Sequence, residues 1–266
     1  MSAAANQRGP LTGVANIVRF NWPFYALAAS AVLLLGVAAV WAPLGWGGYA
    51  GLALLAVLIP AFVSLLASWY VYDRSDLYRF DWLPAAAPPR RILNIHAGFD
   101  ETSALLQQQF PAAELLVFDF YDPQLHTEAS IRRARAAVAP YPGTVQVRPA
   151  VLPLPAASID QVFVLLAAHE IRQPSQRIAF LHEMGRVLAP GGRAVVVEHL
   201  RDPANFLAYT VGFLHFYSRA TWLRAFAAAG LQLERELKIT PFVSAFIVHN
   251  ITADDAFQDD AAGNAS

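Results

Sequence analysis

Two short polar clusters in this sequence carry the residue types that proton transfer requires. His169 and Glu170 directly follow a long apolar run, and Glu198 and His199 directly follow a second one. An imidazole exchanges its proton near neutral pH, and a neighbouring carboxylate can orient the ring. We therefore consider His169 a candidate general base, oriented by Glu170 or Glu198, with His199 as the competing candidate.

The same residues also have a structural interpretation, which the sequence leaves open. They can cap the helices that follow them and hold loops through ion pairs, as Glu170 can with Arg172. Two further polar residues, His215 and Tyr217, lie in an aromatic segment that either lines an apolar pocket or packs in the core. No two histidines have the i, i+4 spacing of a zinc protease, and the chain has no cysteine, so we predict no metal site.

The apolar runs belong to a series of alternating strand and helix patterns from residue 90 to residue 250. Such alternation predicts an α/β fold with an open parallel sheet and helices on both faces. Ligands of these sheets bind at the carboxyl ends of the strands, which is where both polar clusters fall. The predicted strands are Arg91–Ile95, Glu114–Phe118, Thr144–Val147, Ile159–Leu166, Ala194–Val197, Leu231–Lys238 and Phe242–Val248. The predicted helices are Glu101–Gln109, Pro123–Val138, Ser175–Leu188 and Ala220–Ala229.

Several segments resemble the class I S-adenosylmethionine-dependent methyltransferases in the order and spacing of their motifs. Residues 151–160 (VLPLPAASID) resemble the family's "LPF-P-x-x-S-F-D" stretch, and residues 186–192 (RVLAPGG) resemble its "RVLKPGG" turn. Residues 216–223 (FYSRATWL) with residues 229–231 (AGL) resemble its late helix and turn. The resemblance covers residues 90–248. It implies a Rossmann-like seven-stranded sheet whose last strand is antiparallel, with S-adenosyl-L-methionine as cofactor.

The resemblance also implies where the cofactor would bind. The family pattern after the first strand is close to "hDhGxGxG", and here only Gly98 is kept. Asn94 replaces the acid, His96 the first glycine and Asp100 the third glycine. Asp119, at the end of the second strand, occupies the position of the acid that binds the ribose hydroxyls. Cofactor-binding residues are therefore expected at Asn94, His96, Gly98 and Asp119.

Two functions follow from this comparison of motifs. In the first, the domain is an active methyltransferase whose acceptor pocket is lined by Glu198, His215 and Tyr217. In the second, the altered glycine loop belongs to a degenerate domain that serves as a membrane-tethered scaffold or partner module.

A charge-free stretch from Phe20 to Tyr72 predicts membrane attachment. It is long enough for two apolar helices of about 20 residues each, which we place within residues 22–72. Arginines flank the stretch and none lies in its central loop, so both ends are expected on the cytoplasmic side of the inner membrane. The remaining chain divides into a cytoplasmic segment 1–21, a linker 73–89, the α/β domain 90–250 and an acidic disordered tail 251–266.

The overall charge gives no reason to expect nucleic acid as a partner. The formal net charge is −1, and the one arginine cluster, Arg132, Arg133 and Arg135, is predicted to lie on the solvated face of a helix. The expected partners are the lipid bilayer and a lipid-like small-molecule acceptor.

Overall fold

The computed structural model describes residues 8–41, 43, 45–85 and 87–251. The acidic tail from residue 252 and Leu44 of the predicted membrane loop lie outside the described residues. The helices are α1 (Thr12–Phe20), α2 (Trp22–Trp41), α3 (Trp46–Trp69), α4 (Ser103–Gln109), α5 (Ala129–Ala137), α6 (Pro174–Val187), α7 (Pro203–Tyr209) and α8 (Arg219–Ala228). The strands are β1 (Arg91–His96), β2 (Glu114–Asp119), β3 (Val145–Gln146), β4 (Ile159–Leu165), β5 (Leu188–His199), β6 (Leu231–Thr240) and β7 (Val243–Asn250).

The strands form one seven-stranded sheet in the order β3-β2-β1-β4-β5-β7-β6. Strands β1 to β5 pair in parallel, whereas β7 runs antiparallel to both of its neighbours. The centre of β5 is a run of small and β-branched residues that are fully buried, which suits a strand covered on both faces. The predicted α/β fold with an antiparallel last strand is confirmed.

The predicted helix Pro123–Val138 is wrong over its first part, because α5 begins only at Ala129. The residues before it form a turn that is held by side chains. The Asp122 backbone N–H donates to His126 Nδ1 at 2.8 Å, and the Asp122 carboxylate accepts from the Gln124 backbone N–H at 2.8 Å. Such local bonds to aspartate compete with helix formation.

Helices α2 and α3 have the length and composition of membrane spans. Their mean hydropathies are 2.1 and 2.5, and 0% and 6% of the respective apolar windows are buried in the structure. A core helix of a soluble domain buries its apolar surface, and these two helices leave theirs exposed. The two helices pack against each other as a hairpin.

The segment after α3 is part of the globular core. A π-helical turn, Tyr70–Arg74, continues α3 directly into the domain. Val71, Leu77 and Phe80 are buried, and the Phe80 ring lies 5.8 Å from the ring of Phe163 on β4. The region predicted as the linker 73–89 is therefore packed against the sheet over its first half, so the chain enters the core of the domain directly after the hairpin.

Candidate active site

His169 and Glu198 are brought together by two adjacent parallel strands. β4 and β5 end side by side, with Leu165 opposite Val197. His169 follows β4 in the loop after Leu165, and Glu198 is the last residue but one of β5. His169 Nδ1 lies 2.6 Å from Glu198 Oε2, and the His169 backbone N–H donates to Glu198 Oε1 at 3.1 Å. Glu198 is fully buried and uses both carboxylate oxygens on one residue. The direction of the His169 ring is thereby fixed.

The second nitrogen of the His169 ring, Nε2, contacts a second carboxylate, which is shared with a second histidine. His169 Nε2 lies 3.2 Å from Glu170 Oε1, and the same oxygen lies 3.3 Å from His215 Nε2. The rings of His169 and His215 are 5.1 Å apart. Arg172 contacts both ring nitrogens of His215 and donates to its backbone carbonyl at 2.8 Å. We call His169, Glu170, Arg172, Glu198 and His215 the polar cluster.

The two carboxylates determine the charge of His169. Burial alone would lower the pKa of His169, but Glu198 and Glu170 raise that pKa to about 10. Burial alone would raise the pKa of Glu170, yet its bonds to His169 and His215 hold that pKa well below its usual range. At neutral pH the cluster therefore contains an imidazolium between two carboxylates. His169 can accept a proton only after a ligand has replaced one of these contacts.

Donor atoms of His169, Glu170 and His215 all lie within 4.8 Å of one another, as a metal site would require. Arg172, however, places a guanidinium cation on the ring nitrogens of His215. The three residues can therefore act as ligands only if Arg172, which is partly exposed, moves away. The absence of a metal site stays a prediction.

His199, the competing candidate base, lies outside the polar cluster. Its Nε2 is 2.8 Å from the Tyr72 hydroxyl, and its Nδ1 faces the Phe242 carbonyl at 3.0 Å and Asn205 Oδ1 at 3.2 Å. The ring also stacks on Phe216 with centroids 4.8 Å apart. Burial and the nearby His169 cation lower the pKa of His199 to about 4. With both nitrogens engaged by the fold, His199 connects the end of β5 to the exit of the membrane hairpin.

Tyr217 is beside the cluster rather than in it. Its hydroxyl donates to the Arg172 carbonyl at 3.3 Å, and its ring lies 3.9 Å under the Arg177 guanidinium. Its aromatic face is thus used in packing. Of the three predicted pocket residues, Glu198 and His215 reach His169, and Tyr217 supports the loop that carries Arg172.

The glycine loop and Asp119 lie together at the ends of β1 and β2, where His96 is opposite Asp119. Gly98 has a φ of 95°, and a Cβ there would lie 3.0 Å from the ring of Tyr121. Only glycine fits this backbone position. Asp119 accepts from the Tyr121 backbone N–H at 2.9 Å through one oxygen and binds Arg135 through the other.

Asn94 is oriented towards the loop that follows it, not towards the cleft. Its side-chain amide donates to Thr102 Oγ1 at 2.9 Å and to Ser103 Oγ at 2.8 Å. Asp100 accepts from the backbone N–H groups of the same two residues at 2.9 Å each. These bonds start α4 at Ser103 and not at the predicted Glu101. Asn94 therefore positions the loop.

The arginine cluster of α5 is not a solvated face, contrary to the sequence prediction. Arg133 donates to the Phe20 carbonyl at 2.7 Å, and Arg135 contacts the Asp119 carboxylate and lies 4.5 Å over the Tyr121 ring. Only Arg132 is exposed. Local periodicity placed these residues on one helix, but it could not show that the cleft and α1 pack against that helix.

Helix α1 covers the glycine loop. Glu101, in this loop, is bound by Arg8 at 2.8 Å and by the Tyr78 hydroxyl at 2.9 Å. The Phe20 ring at the end of α1 meets the Phe99 ring edge-on at 5.3 Å. The N-terminal segment therefore closes the cleft above His96 and Gly98.

Two cavities meet at Glu170. One of about 100 Å³ is lined by His96, Phe99 and Glu170, and another of about 330 Å³ is lined by His126, Arg148, Glu170 and Arg172. A third, of about 60 Å³, lies between His96, Asp119 and Arg135. The polar cluster thus stands between the glycine loop and the largest space on this edge of the sheet.

Residues 93–196 match a family model described as a methyltransferase domain. Over these residues the α/β part of this chain is similar to a methyltransferase domain. The chain is 34% identical over 127 residues to a demethylmenaquinone methyltransferase of Thermus thermophilus, a match that covers 47% of this chain and 55% of that protein. It is 32% identical over 112 residues to a ubiquinone/menaquinone biosynthesis C-methyltransferase of Geobacter sulfurreducens, which covers 41% of each.

The chain spans about half the length of the curated relatives that it matches. Among solved structures, LaPhzM superposes with a TM-score of 0.54 at 20% identity, covering 92% of this chain and 75% of that one. At this identity the likeness concerns the fold alone. It agrees with the strand order of the methyltransferase domain described above.

The methyltransferase domain has residues that fit S-adenosylmethionine, the cofactor of its family. His96 Nδ1 accepts from the Gly98 backbone N–H at 3.2 Å, so the ring proton lies on Nε2. Within the described residues, that buried Nε2 has no hydrogen-bond partner, and it therefore suits a carboxylate of a ligand. The resemblance implies that Asp119 is the ribose acid and that Gly98 allows the close backbone approach. The cavity between His96 and Asp119 is small, however, at about 60 Å³, and Arg135 and Phe99 are among the residues that line it.

Proposed function

We propose that this chain is a membrane-anchored, S-adenosylmethionine-dependent methyltransferase whose acceptor is a lipid-like quinol. Relatives named for methylation of menaquinone or ubiquinone precursors support the acceptor class. The apolar hairpin α2–α3 supports a location in the inner membrane, with both of its ends in the cytoplasm. Such an acceptor is dissolved in the bilayer next to the domain.

The position of Glu170 carries this proposal. Its carboxylate lines the cavity beside the glycine loop and the larger cavity, and it bonds to His169 between them. Methyl transfer needs the donor on one side and the acceptor on the other, in line and in contact. The polar cluster lies where the two would meet.

The chain's own residues would hold both molecules. Asp119 would bind ribose hydroxyls once Arg135 leaves it, His96 Nε2 would donate to the cofactor carboxylate, and Gly98 would allow the backbone to approach closely. When bound, S-adenosylmethionine supplies a methyl group on a sulfonium centre. Methyl transfer to an uncharged phenolic acceptor is then limited by removal of the hydroxyl proton.

His169 is the residue positioned to handle that proton. An acceptor hydroxyl that replaces Glu170 at Nε2 would leave His169 with one carboxylate partner and so lower its pKa. The Nε2 proton would then pass to the displaced Glu170 carboxylate and on to solvent, and the neutral ring could accept the hydroxyl proton. Glu198 keeps the ring oriented and stabilises the imidazolium that forms. The negative charge left on the acceptor spreads to the ring carbons ortho to the oxygen, so either an oxygen or a carbon can receive the methyl group.

Labelled methyl transfer tests the proposal. The full-length chain in lipid nanodiscs, supplied with S-adenosylmethionine labelled in its methyl group and an isoprenoid 1,4-naphthoquinol, should place label in the organic extract. His169→Ala should reduce that label by about 100-fold or more, the usual contribution of a general base. His182→Ala, an exposed histidine of α6, should retain activity. Unlabelled extract from the unaltered protein would overturn the activity, and an active His169→Ala would overturn the role of His169.

One observation favours the non-catalytic alternative. The two cavities at the glycine loop measure about 60 and about 100 Å³, whereas pockets for small ligands usually exceed about 300 Å³. A degenerate domain with Arg135 fixed on Asp119 would keep this closed form and act as a tethered partner module. Such a domain would bind no S-adenosylmethionine, which distinguishes it from the enzyme.

A further inference from the structure

A second charge-free segment lies inside the methyltransferase domain, from Pro203 to Ser218. It comprises α7 and the 3₁₀ helix Thr210–His215. Four of its large apolar side chains are exposed, namely Phe206 at 50%, Leu207 at 72%, Val211 at 77% and Leu214 at 55%. Single exposed apolar residues are normal, but a cluster of this kind marks a contact surface. We call these four side chains the apolar lip.

The lip is next to the membrane hairpin. Helix α7 packs against α3, and Asn205 of α7 bonds to His199, which in turn binds Tyr72 at the end of α3. The segment therefore lies where the second span leaves the proposed membrane on its cytoplasmic side. Helix α3, against which α7 packs, also has exposed apolar side chains of its own, among them Phe62 and Leu66.

Charged residues border the lip at both ends of the segment. Arg201 and Asp202 precede it and Arg219 follows it. Arg201 contacts the Leu214 carbonyl, and Arg219 pairs through Nε with Glu236 at 2.6 Å, so its remaining N–H groups are the ones that could meet a lipid phosphate. Apolar side chains bordered by arginines are typical of segments that lie in the headgroup layer, where the arginines meet lipid phosphates. The contact of α7 with the apolar hairpin favours lipid over a protein partner as the occupant of this surface.

The inner side of the same segment borders the polar cluster. His215 Nε2 is 3.3 Å from Glu170, and the Phe216 ring lies 6.2 Å from the His169 ring. A single short segment therefore has lipid-facing residues on one side and cluster residues on the other.

We propose that the apolar lip is inserted into the cytoplasmic headgroup layer of the bilayer as a third membrane contact, and that the quinol passes it from the lipid to His169. This inference rests on the membrane anchoring and acceptor class of the proposed function. It adds the route by which a lipid acceptor reaches a site at the membrane surface.

Site-directed fluorescence tests the insertion, since the chain has no native cysteine to label. Leu207→Cys and Val211→Cys carry an environment-sensitive probe, with Leu34→Cys in α2 as the membrane reference and Val151→Cys as the exposed reference in the domain. Each full-length protein is reconstituted in phosphatidylcholine–phosphatidylglycerol vesicles with lipids that carry a shallow nitroxide quencher. Probes at residues 207 and 211 should be quenched, and the probe at residue 151 should not.

The references separate the two ways in which this can fail. Unquenched probes at residues 207 and 211, with a quenched probe at residue 34, would overturn the lip and leave the anchor intact. An unquenched probe at residue 34 would overturn the anchor and the lip together.

Separate measurement of KM and kcat tests whether the quinol passes the apolar lip on its way to His169. The double variant Leu207→Glu/Val211→Glu should raise KM for the isoprenoid quinol in vesicles roughly tenfold or more, because two apolar contacts with lipid are replaced by charges. Its kcat, and its turnover of a tail-less naphthoquinol in solution, should stay unchanged. The matched Val151→Glu variant should leave KM, kcat and the turnover of the tail-less naphthoquinol unchanged. An equal loss on both acceptors, or no change in KM, would contradict the route.

Discussion

At the scale of single residues, the site depends on how carboxylates are shared. Glu198 gives both oxygens to His169, whereas Glu170 divides one oxygen between His169 and His215. The first arrangement orients the ring and stays in place. The second is the contact that a substrate hydroxyl can replace.

The pH dependence of methyl transfer should report this arrangement. If His169 must be neutral to accept a proton, kcat/KM rises with pH until the pKa of His169 is reached. Glu170→Gln removes one of the two charges that stabilise the imidazolium, so the pKa falls and the rising limb should move to lower pH by roughly one unit. Glu234→Gln, which loses only a surface pair with Arg193, is the control. Superimposable profiles for Glu170→Gln and the unaltered protein would exclude His169 as the titrating base.

Asp119 should contribute to cofactor affinity. Asp119→Ala removes a hydrogen-bonding carboxylate from the end of β2, and we expect weaker S-adenosylmethionine binding by about 1–3 kcal/mol. Calorimetric titration measures the change, and Asp81→Ala, an exposed carboxylate before the domain, should leave affinity unaltered. An Asp119→Ala protein with normal affinity would mean that the ribose lies elsewhere.

At the scale of elements, α1 is the least expected part of the structure. It packs on α5, and Asn16 of α1 together with the preceding Arg8 contacts Glu101 of the glycine loop, so that the position of this segment affects access to the cleft. Asp73 binds the backbone N–H groups of Gly13 and Val14 at 2.6 and 2.8 Å. A carboxylate at a helix N-terminus is stabilising, and this one attaches α1 to the end of the hairpin.

Loss of the α1 contact should loosen the glycine loop. Arg8→Met breaks the ion pair with Glu101, whose side chain is only 20% exposed, and an unpaired, largely buried charge is costly. Hydrogen exchange of residues 97–103 should therefore be faster in Arg8→Met by roughly tenfold. Arg19→Met, which alters an exposed arginine of α1 itself, should leave exchange unchanged. Equal exchange in both variants would show that α1 does not hold the loop.

The sequence predicted most elements because the central strands β1, β4 and β5 contain compact apolar runs. It also predicted that Glu170 or Glu198 would orient His169, since carboxyl ends of neighbouring parallel strands lie side by side, and both carboxylates contact the ring. The pairings of Arg135 with Asp119 and of Tyr72 with His199 could not be predicted. They join parts of the chain that are distant in sequence, and no local pattern specifies them.

At the scale of the whole molecule, the hairpin and the site are connected directly. Tyr72, at the end of α3, binds His199 at the end of β5, and Phe80 packs against β4. The domain is therefore fixed against the end of the apolar hairpin, and under the proposed function this would fix its position relative to the membrane surface. A lipid acceptor would need to travel only from the headgroup layer to the carboxyl ends of the strands.

The orientation in the membrane can be tested by labelling. In intact spheroplasts, a membrane-impermeant maleimide should react with Pro43→Cys, in the loop between α2 and α3, and not with Val151→Cys in the domain. After permeabilisation, Val151→Cys should react as well. Reaction of Val151→Cys from the outside would place the domain on the wrong side for a cytoplasmic cofactor.

Binding of S-adenosylmethionine to the full-length chain tests the central claim most directly. The claim is that Asp119, Gly98 and His96 still form a cofactor site although the glycine loop is altered and Arg135 lies on Asp119. Calorimetric titration of the protein in nanodiscs should give saturable binding, which Asp119→Ala weakens. No heat of binding up to millimolar S-adenosylmethionine would contradict the account and favour the non-catalytic module.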